Sequence, residues 1–487
     1  MKLTDEQIQS FLINGFIKIQ TNLPEHFHQT IYEKVTEAFK DGNPGNNIYP
    51  CIKELGNVFK DANVNGAIQS ILGEKYFMQP HRYTHVSGNK DQSWHRDSFF
   101  GFLKEMRYHQ PWNLMAFYYP QNTTTKMGPT AIKPKTQYDA IDPMRCPSHI
   151  QNINNFTSPD DVLFECEMGT VLLVHYDIVH RGTRCLSKKD VKRFLFKFLF
   201  SRLDFPSSPS WNHNPCTELW DAKNVGPLQP IIRSMWDWML GKPVRLVPLC
   251  DDAYMQCIND LKSQAERGRQ RAAYMLSCSG VYDILIDILS SNCESIYKIE
   301  ATYALCSCPG EQVVCKLCKV LEEKIQQSDC FYFIYVLGSF GERARQATDL
   351  ILKIGADCQC PTIKRYCCES LCSICPEAND AILNFLKDVL LNCRDVVPES
   401  NKLKDRNSPY PHARYVAALC LFRLGVNASP IVDSIIYAML NDCNRYVNGF
   451  CLLSLQSMNT HDSKVAVEEY LNKTKGFCLK TNKRSTF

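Results

Sequence analysis

Apolar positions follow two different periods in the two halves of the chain. Up to about residue 201 they come in short aromatic-rich runs: Phe77 to Ser87, Trp112 to Tyr119, Thr130 to Lys133, Thr170 to His175 and Arg193 to Ser201. The breaks between them carry Gly88-Asn89, Pro120-Gln121-Asn122 and Gly128-Pro129. Short apolar runs bounded by turn residues predict β-strands. Ahead of them, Asp5 to Ile17 predicts a helix leading into a short strand, Phe16-Ile17-Lys18-Ile19. Pro24 to Phe39 and Asn63 to Leu72 show helical spacing, the second closed by Gly73 as a C-cap. Several strands framed by N-terminal helices predict a β-sandwich or jelly roll, a double-stranded β-helix.

After about residue 248 the strand texture gives way to recurring helices. Arg271-Ala-Ala-Tyr-Met-Leu276, Glu300-Ala-Thr-Tyr-Ala-Leu305, Phe331-Tyr-Phe-Ile-Tyr-Val-Leu337, Arg365-Tyr-Cys-Cys-Glu-Ser-Leu371, Arg414-Tyr-Val-Ala-Ala-Leu419 and Arg445-Tyr-Val-Asn-Gly-Phe450 are variants of one pattern. Leu276, Leu305, Leu337 and Leu371 are 29, 32 and 34 residues apart. Such a period marks an α-solenoid, and the helices resemble short HEAT repeats. A polar insertion, Val397 to His412, lengthens one interval. Between the halves, residues 204–248 are rich in proline and tryptophan and predict an irregular, packed connector. The expected organisation is therefore a multidomain α+β chain: residues 1–205, a connector over 206–248, helical repeats over 249–472 and a basic tail over 473–487.

Composition narrows the setting. A hydrophobic share of 45% with 22% charged residues over 487 positions describes a globular chain of two or three domains. The formal charge of +4 does not indicate nucleic-acid or membrane binding. No apolar run reads as a membrane span, and Met1 to Gln7 lacks the apolar core of a signal peptide. Of 25 cysteines, five precede residue 245 and twenty follow it. Reduced thiols in the cytoplasm are the expectation, with the nucleus as the other compartment. Cys367, Cys368, Cys372, Cys420 and Cys451 stand where solenoid helices take alanine, as small hydrophobes. Cys315-x-x-Cys318 and Cys372-x-x-Cys375 supply half a zinc spacing, and core packing is preferred to metal.

The candidate chemistry begins at Ser93-Trp94-His95-Arg96-Asp97-Ser98. In extended backbone His95 and Asp97 point the same way, which offers an imidazole and a carboxylate side by side. That is two thirds of the 2-His-1-carboxylate set that holds non-haem Fe(II) with open positions. A second histidine comes from His175 or His180; His180 precedes Gly182 and a polar loop, after which Arg193 opens a strand. A strand arginine suits the far carboxylate of 2-oxoglutarate, because its planar fork binds bidentately and keeps its charge. The shorter spacing to Arg193 favours His180 over His175. His81 and His85 share a strand face and either line a pocket or sit in the core. Arg181, Arg184, Lys188, Lys189 and Lys192 form a basic cluster, a solvated loop in preference to an anion site.

Residues 5–205 resemble the phytanoyl-CoA dioxygenase family of Fe(II)/2-oxoglutarate oxygenases. The resemblance rests on Trp94-His95-Arg96-Asp97, on Met127-Gly128-Pro129-Thr130 through Lys133-Pro134-Lys135-Thr136-Gln137, and on His180 followed by Arg193. It implies His95, Asp97 and His180 as iron ligands, Arg193 as the 2-oxoglutarate anchor, and Gln79 and Thr183 as further co-substrate contacts. Fe(II), 2-oxoglutarate and O2 are the implied cofactors, and retention of Asp97 implies hydroxylation rather than halogenation. The chain departs from the family where Thr136-Gln137 replaces Ser-His, where thirteen residues rather than about eleven separate His180 and Arg193, and at Gly182. The substrate is unnamed, and the solenoid is expected to bind a partner or a macromolecular substrate. A rival expectation makes the solenoid a protein-interaction scaffold carrying a degenerate or regulatory oxygenase domain.

Overall fold

The computed structural model describes residues 1–97, 106–140, 160–187, 192–217, 225–242, 246–308, 311–325, 327–393 and 413–474. Lys188, Lys189, the insertion from Val397 to His412 and everything beyond residue 474 lie outside them. Two compact units emerge, Met1–Ser98 with Tyr108–Pro243, and Phe99–Arg107 with Val244–Lys480.

In the first unit, α1 (Asp5–Asn14) starts with a capping box between Thr4 and Gln7 and stops at Gly15, whose φ of 81° suits a residue without Cβ. The chain continues as β1 (Phe16–Gln20), α2 (Glu25–Ala38), α3 (Ile48–Cys51), α4 (Leu55–Lys60) and α5 (Ala62–Leu72). Asp61 caps α5 by accepting from Asn63 N and Val64 N. The remaining strands are β2 (Tyr76–Val86), β3 (Asn113–Tyr119), β4 (Thr130–Lys133), β5 (Val162–Leu163), β6 (Thr170–His175), β7 (Val179–Gly182) and β8 (Phe194–Arg202). They build two antiparallel sheets, one ordered β1-β6-β3-β8-β2 and one ordered β5-β4-β7. Strands β3, β6 and β8 are buried at every position, which is why they read as continuous apolar runs.

Besides the short helices α3 and α4, three elements that bear on the site or the connector differ from expectation. Strands β5 and β7 are extra, and His180 therefore lies on a strand rather than in a turn. The region expected to be irregular holds α6 (Gln229–Met239), with Ile231, Ile232, Met235 and Trp236 buried. Pro230 falls at the helix start, where its missing N–H costs nothing. This stretch belongs to the first unit. Asp5 on α1, only 3% exposed, accepts from Trp211 Nε1, Asn214 N at 2.8 Å and Thr217 Oγ1 at 2.7 Å, and pairs with His213 Nδ1 at 2.9 Å.

The second unit is a helical array: α7 (Asp251–Asp260), α8 (Glu266–Cys278), α9 (Asp283–Ser290), α10 (Ser295–Leu305), α11 (Glu311–Glu323), α12 (Phe331–Ser339), α13 (Thr348–Asp357), α14 (Pro361–Ile374), α15 (Asp380–Asn392), α16 (Ala413–Leu424), α17 (Val432–Asn441), α18 (Arg445–Met458) and α19 (His461–Thr474). Helices α8, α10, α12, α14, α16 and α18 pack in succession as one layer, with the intervening helices behind them. Cys367, Cys368, Cys372, Cys420 and Cys451 are buried, and every described cysteine is a free thiol. Burial pushes the Cys306 thiol up to about 12 and Cys308 up to about 11, so both behave as small apolar groups. Ala413–Asn441 is long and apolar enough to cross a membrane by length and composition, and half of its apolar window is packed inside. It consists of α16 and α17 separated by the 3₁₀ stretch Gly425–Ile431.

Within this unit three tyrosines from α10, α12 and α14 converge on two residues of the 99–107 segment. Arg107 N donates to Tyr303 Oη at 2.7 Å, Met106 N to Tyr366 Oη at 3.4 Å, and Tyr335 Oη donates to the Arg107 carbonyl at 2.8 Å. Met106 is fully buried.

Candidate metal centre

His95 and His180 are brought together by backbone pairing rather than by side-chain packing alone. Each donates its N–H to the other's carbonyl at 3.0 Å, an isolated antiparallel bridge that adds residue 95 to the free edge of β7. A second link, Gln92 N to Gly182 O at 2.9 Å, holds the same edge. Directly opposed residues in such a pair send their side chains to one face. The two imidazole centroids are 4.6 Å apart. The alternation then divides residues 94–97. Trp94 packs with Ala131 and Val179, with Lys133 and Arg181 at 4.3 and 4.5 Å from its ring. Arg96 turns to the Thr136 carbonyl at 2.9 Å. His95 and Asp97 take the opposite face.

Ligating atoms of His95, Asp97 and His180 all lie within 4.8 Å of one another, the one such group among the described residues. Asp97 Oδ2 is 3.3 Å from His180 Nε2. The far nitrogens are engaged: His95 Nδ1 contacts the Ser93 carbonyl at 2.8 Å and His180 Nδ1 the Ile178 carbonyl at 3.1 Å. A carbonyl only accepts, so each Nδ1 carries the proton and each Nε2 presents a lone pair to the site. Burial and the neighbouring His180 push His95 down to about 4, which keeps it neutral at physiological pH. Burial alone would raise Asp97; Lys197 and His180 outweigh it and hold the carboxyl well below its usual range. Two imidazoles presenting Nε2 and one carboxylate on a common face suit a divalent ion with open positions.

The cavity beside the triad is lined by His85, Gly88, Lys90, Gln92, Phe117, Thr130, Thr183, Arg193, Leu195 and Lys197, among others. Arg193, Leu195 and Lys197 alternate on one face from the start of β8. Arg193 is 2% exposed; its Nε donates to the Gly128 carbonyl at 3.0 Å and Nη2 to the same oxygen. Its Nη1 is buried without a hydrogen-bond partner among the described residues. An unpaired donor of a buried guanidinium is costly unless a ligand acceptor meets it. Gly128 has φ 73°, and a Cβ there would stand 2.5 Å from the Thr183 carbonyl. Glycine is thus required where the turn delivers its oxygen to Arg193.

The other candidates divide. Thr183 lines the cavity, its hydroxyl donating to the Pro129 carbonyl at 2.6 Å. Gln79 sits in the irregular stretch between Met78 and Arg82, donates to Ser201 Oγ at 2.5 Å, and is not among the residues lining the cavity. Its partner Ser201 lies on the same face of β8 as Lys197, four residues further along the strand. His175 packs between Phe11 and Tyr138, apart from the triad. Lys197 is the functional candidate that sequence reading missed. Its signal was present: a lone cation in Phe194-Leu-Phe-Lys197-Phe-Leu-Phe200, four residues after Arg193.

No protein-family model matches the chain, and no curated protein matches it. Among solved structures, HygX from Streptomyces hygroscopicus with nickel and 2-oxoglutarate bound aligns over 46% of this chain and 100% of its own, at 12% identity and a TM-score of 0.34. EctD from S. alaskensis with bound Fe aligns over 44% of this chain and 82% of its own, at 13% identity and a TM-score of 0.36. SnoK, a non-heme alpha-ketoglutarate-dependent carbocyclase from nogalamycin biosynthesis, aligns over 42% and 85%, at 14% identity and a TM-score of 0.34. Likeness at this level says nothing of the chemistry of this chain.

Proposed function

We propose that the first unit is an Fe(II)- and 2-oxoglutarate-dependent oxygenase, a hydroxylase with the two sheets forming a double-stranded β-helix. The observation that carries this reading is the His95–Asp97–His180 cluster, whose two histidines line one cavity with Arg193, a guanidinium with Nη1 unpaired among the described residues. His95 Nε2, His180 Nε2 and an Asp97 carboxylate oxygen would hold the iron, and Arg193 would take the distal carboxylate of 2-oxoglutarate. Bound together, iron, 2-oxoglutarate and O2 supply oxidative decarboxylation to succinate and CO2 coupled to oxidation of a substrate C–H bond. The chain's own work is positioning. The Ser93 and Ile178 carbonyls fix both imidazole tautomers, the residue 95–180 bridge fixes their spacing, and the Gly128 carbonyl aims the guanidinium. Asp97 occupies the carboxylate position, which supports hydroxylation over halide transfer.

The helical unit is proposed to resemble HEAT repeats and to bind a partner or a macromolecular substrate, and the free thiols suit a reducing cytoplasm. The test is calorimetric titration with Mn(II), together with succinate formation from 2-oxoglutarate under air. The double variant His95→Ala/Asp97→Ala is expected to keep its circular dichroism spectrum and lose both metal binding and succinate formation. Retention of both by the double variant would sink the proposal.

A further inference from the structure

Lys197 Nζ lies 3.0 Å from Asp97 Oδ2, and the two side chains are 4% and 3% exposed. That same carboxylate oxygen is 3.3 Å from His180 Nε2. A cation supplied by the protein thus occupies the surroundings of the one anionic group in the candidate metal set. Lys197 sits opposite Tyr83 on one side and Phe117 on the other, on the interior strand β8 of the five-stranded sheet. The other charged residues lining the cavity are Lys90 and Arg193, and no Asp or Glu is among them.

Resting on the oxygenase reading, we infer that Lys197 is a resident counter-ion for Asp97 that yields the carboxylate to the incoming metal, and that it then serves as the anchor for an acidic group on the substrate. The first half follows from cost. A buried carboxylate without a partner is strongly disfavoured, so a site that must exist before loading needs a built-in positive charge. The second half follows from charge balance. Among the buried groups, Arg193, Lys197 and Asp97 leave one positive charge before loading; Lys90 is exposed at the rim, where solvent screens it. The metal's two positive charges and the two negative charges of 2-oxoglutarate cancel, so that charge persists after loading. One acidic group on the substrate, a carboxylate or a phosphate monoanion, neutralises it. A neutral substrate would leave Lys197 with only a share of a carboxylate already committed to the metal. Lys197 is on this view a positioning residue before loading and a specificity residue after it.

The test compares wild type with Lys197→Met, Lys197→Gln and Lys197→Arg. Without metal, the Met and Gln variants should melt at lower temperature than wild type, and Mn(II) should bind them at least ten-fold more tightly, because no ammonium competes for Asp97. Lys197→Arg should restore wild-type affinity. Equal or weaker Mn(II) binding by both the Met and Gln variants overturns the counter-ion role. For the second half, protein loaded with Co(II) and 2-oxoglutarate without O2 is titrated with acetate and with acetamide, read by the visible Co(II) spectrum. Wild type should respond to acetate at ten-fold lower concentration than to acetamide, and Lys197→Met should lose the difference. Equal response of wild type to both overturns the acidic-substrate assignment, as does an unchanged acetate response in Lys197→Met. Failure of wild type to bind Mn(II) at all would instead overturn the oxygenase reading and this inference with it.

Discussion

Arg193 shows how much one buried side chain can specify. Two of its nitrogens are spent on the Gly128 carbonyl, and the third is buried without a partner among the described residues, in a side chain that lines the cavity. Charge-assisted hydrogen bonds are worth roughly 1.5–3 kcal/mol each. Arg193→Gln should therefore weaken 2-oxoglutarate binding by about ten- to a hundred-fold while leaving Mn(II) affinity within about two-fold, both measurable by calorimetry on the metal-loaded protein. Arg193→Lys should recover only part of the loss, since an ammonium lacks the fork. His95, Asp97 and Arg193 were legible in the sequence because residue chemistry and the two-residue strand period state them locally. The choice of His180 over His175 became physical only through the bridge to residue 95, a pairing across 85 positions that no local pattern encodes. Gln79 stands on the same sheet face as the cavity, held by Ser201, a distance along the strand that the two-residue period does not state. Lys197 was overlooked because the run from Phe194 to Phe200 is otherwise apolar and reads as core.

At the level of elements, length and burial decided what could be read. Strand β6 is an apolar run from Thr170 to His175 and announces itself, whereas β7 has four residues, including histidine, arginine and glycine, and carries no period. Helix α6 was hidden by its proline and by tryptophans that suggested irregular packing. The same region supplies the partners of Asp5, which ties the first turn of α1 to residues 211–217. Burial alone would raise the Asp5 carboxyl; Thr217, His213, Trp211 and Asn214 together bring it from 3.8 down to about 2. A carboxyl lowered on folding stabilises the fold above its unfolded value and stops doing so as pH falls through the folded one. At neutral pH the shift corresponds to about 2 kcal/mol. Asp5→Asn should thus destabilise the first unit by that order at pH 7 in denaturant titrations. The gap from wild type should narrow steadily between about pH 4 and pH 2.

For the whole molecule, chain order and spatial membership do not coincide. Residues 99–107 follow the Asp97 stretch in sequence and belong to the helical unit, so no single cut separates the two units. A protein ending at residue 243 would strip Met106 and Arg107 of Tyr303, Tyr335 and Tyr366, exposing a methionine that is fully buried in the intact chain. Each net hydrogen bond is worth about 0.5–1.5 kcal/mol. The triple variant Tyr303→Phe/Tyr335→Phe/Tyr366→Phe should lower the stability of the full-length protein by about 2–4 kcal/mol, seen as an earlier unfolding transition of the helical unit. The same arrangement sets a timetable for synthesis. The residues that receive Met106 and Arg107 lie 196 to 260 positions downstream. At roughly 5–20 residues per second, the strands around the candidate iron site have been made on the order of ten seconds or more before those tyrosines exist. During that interval Met106 and Arg107 lack the tyrosines that hold them in the finished fold, and a chaperone that covers this stretch would stand in for residues not yet made.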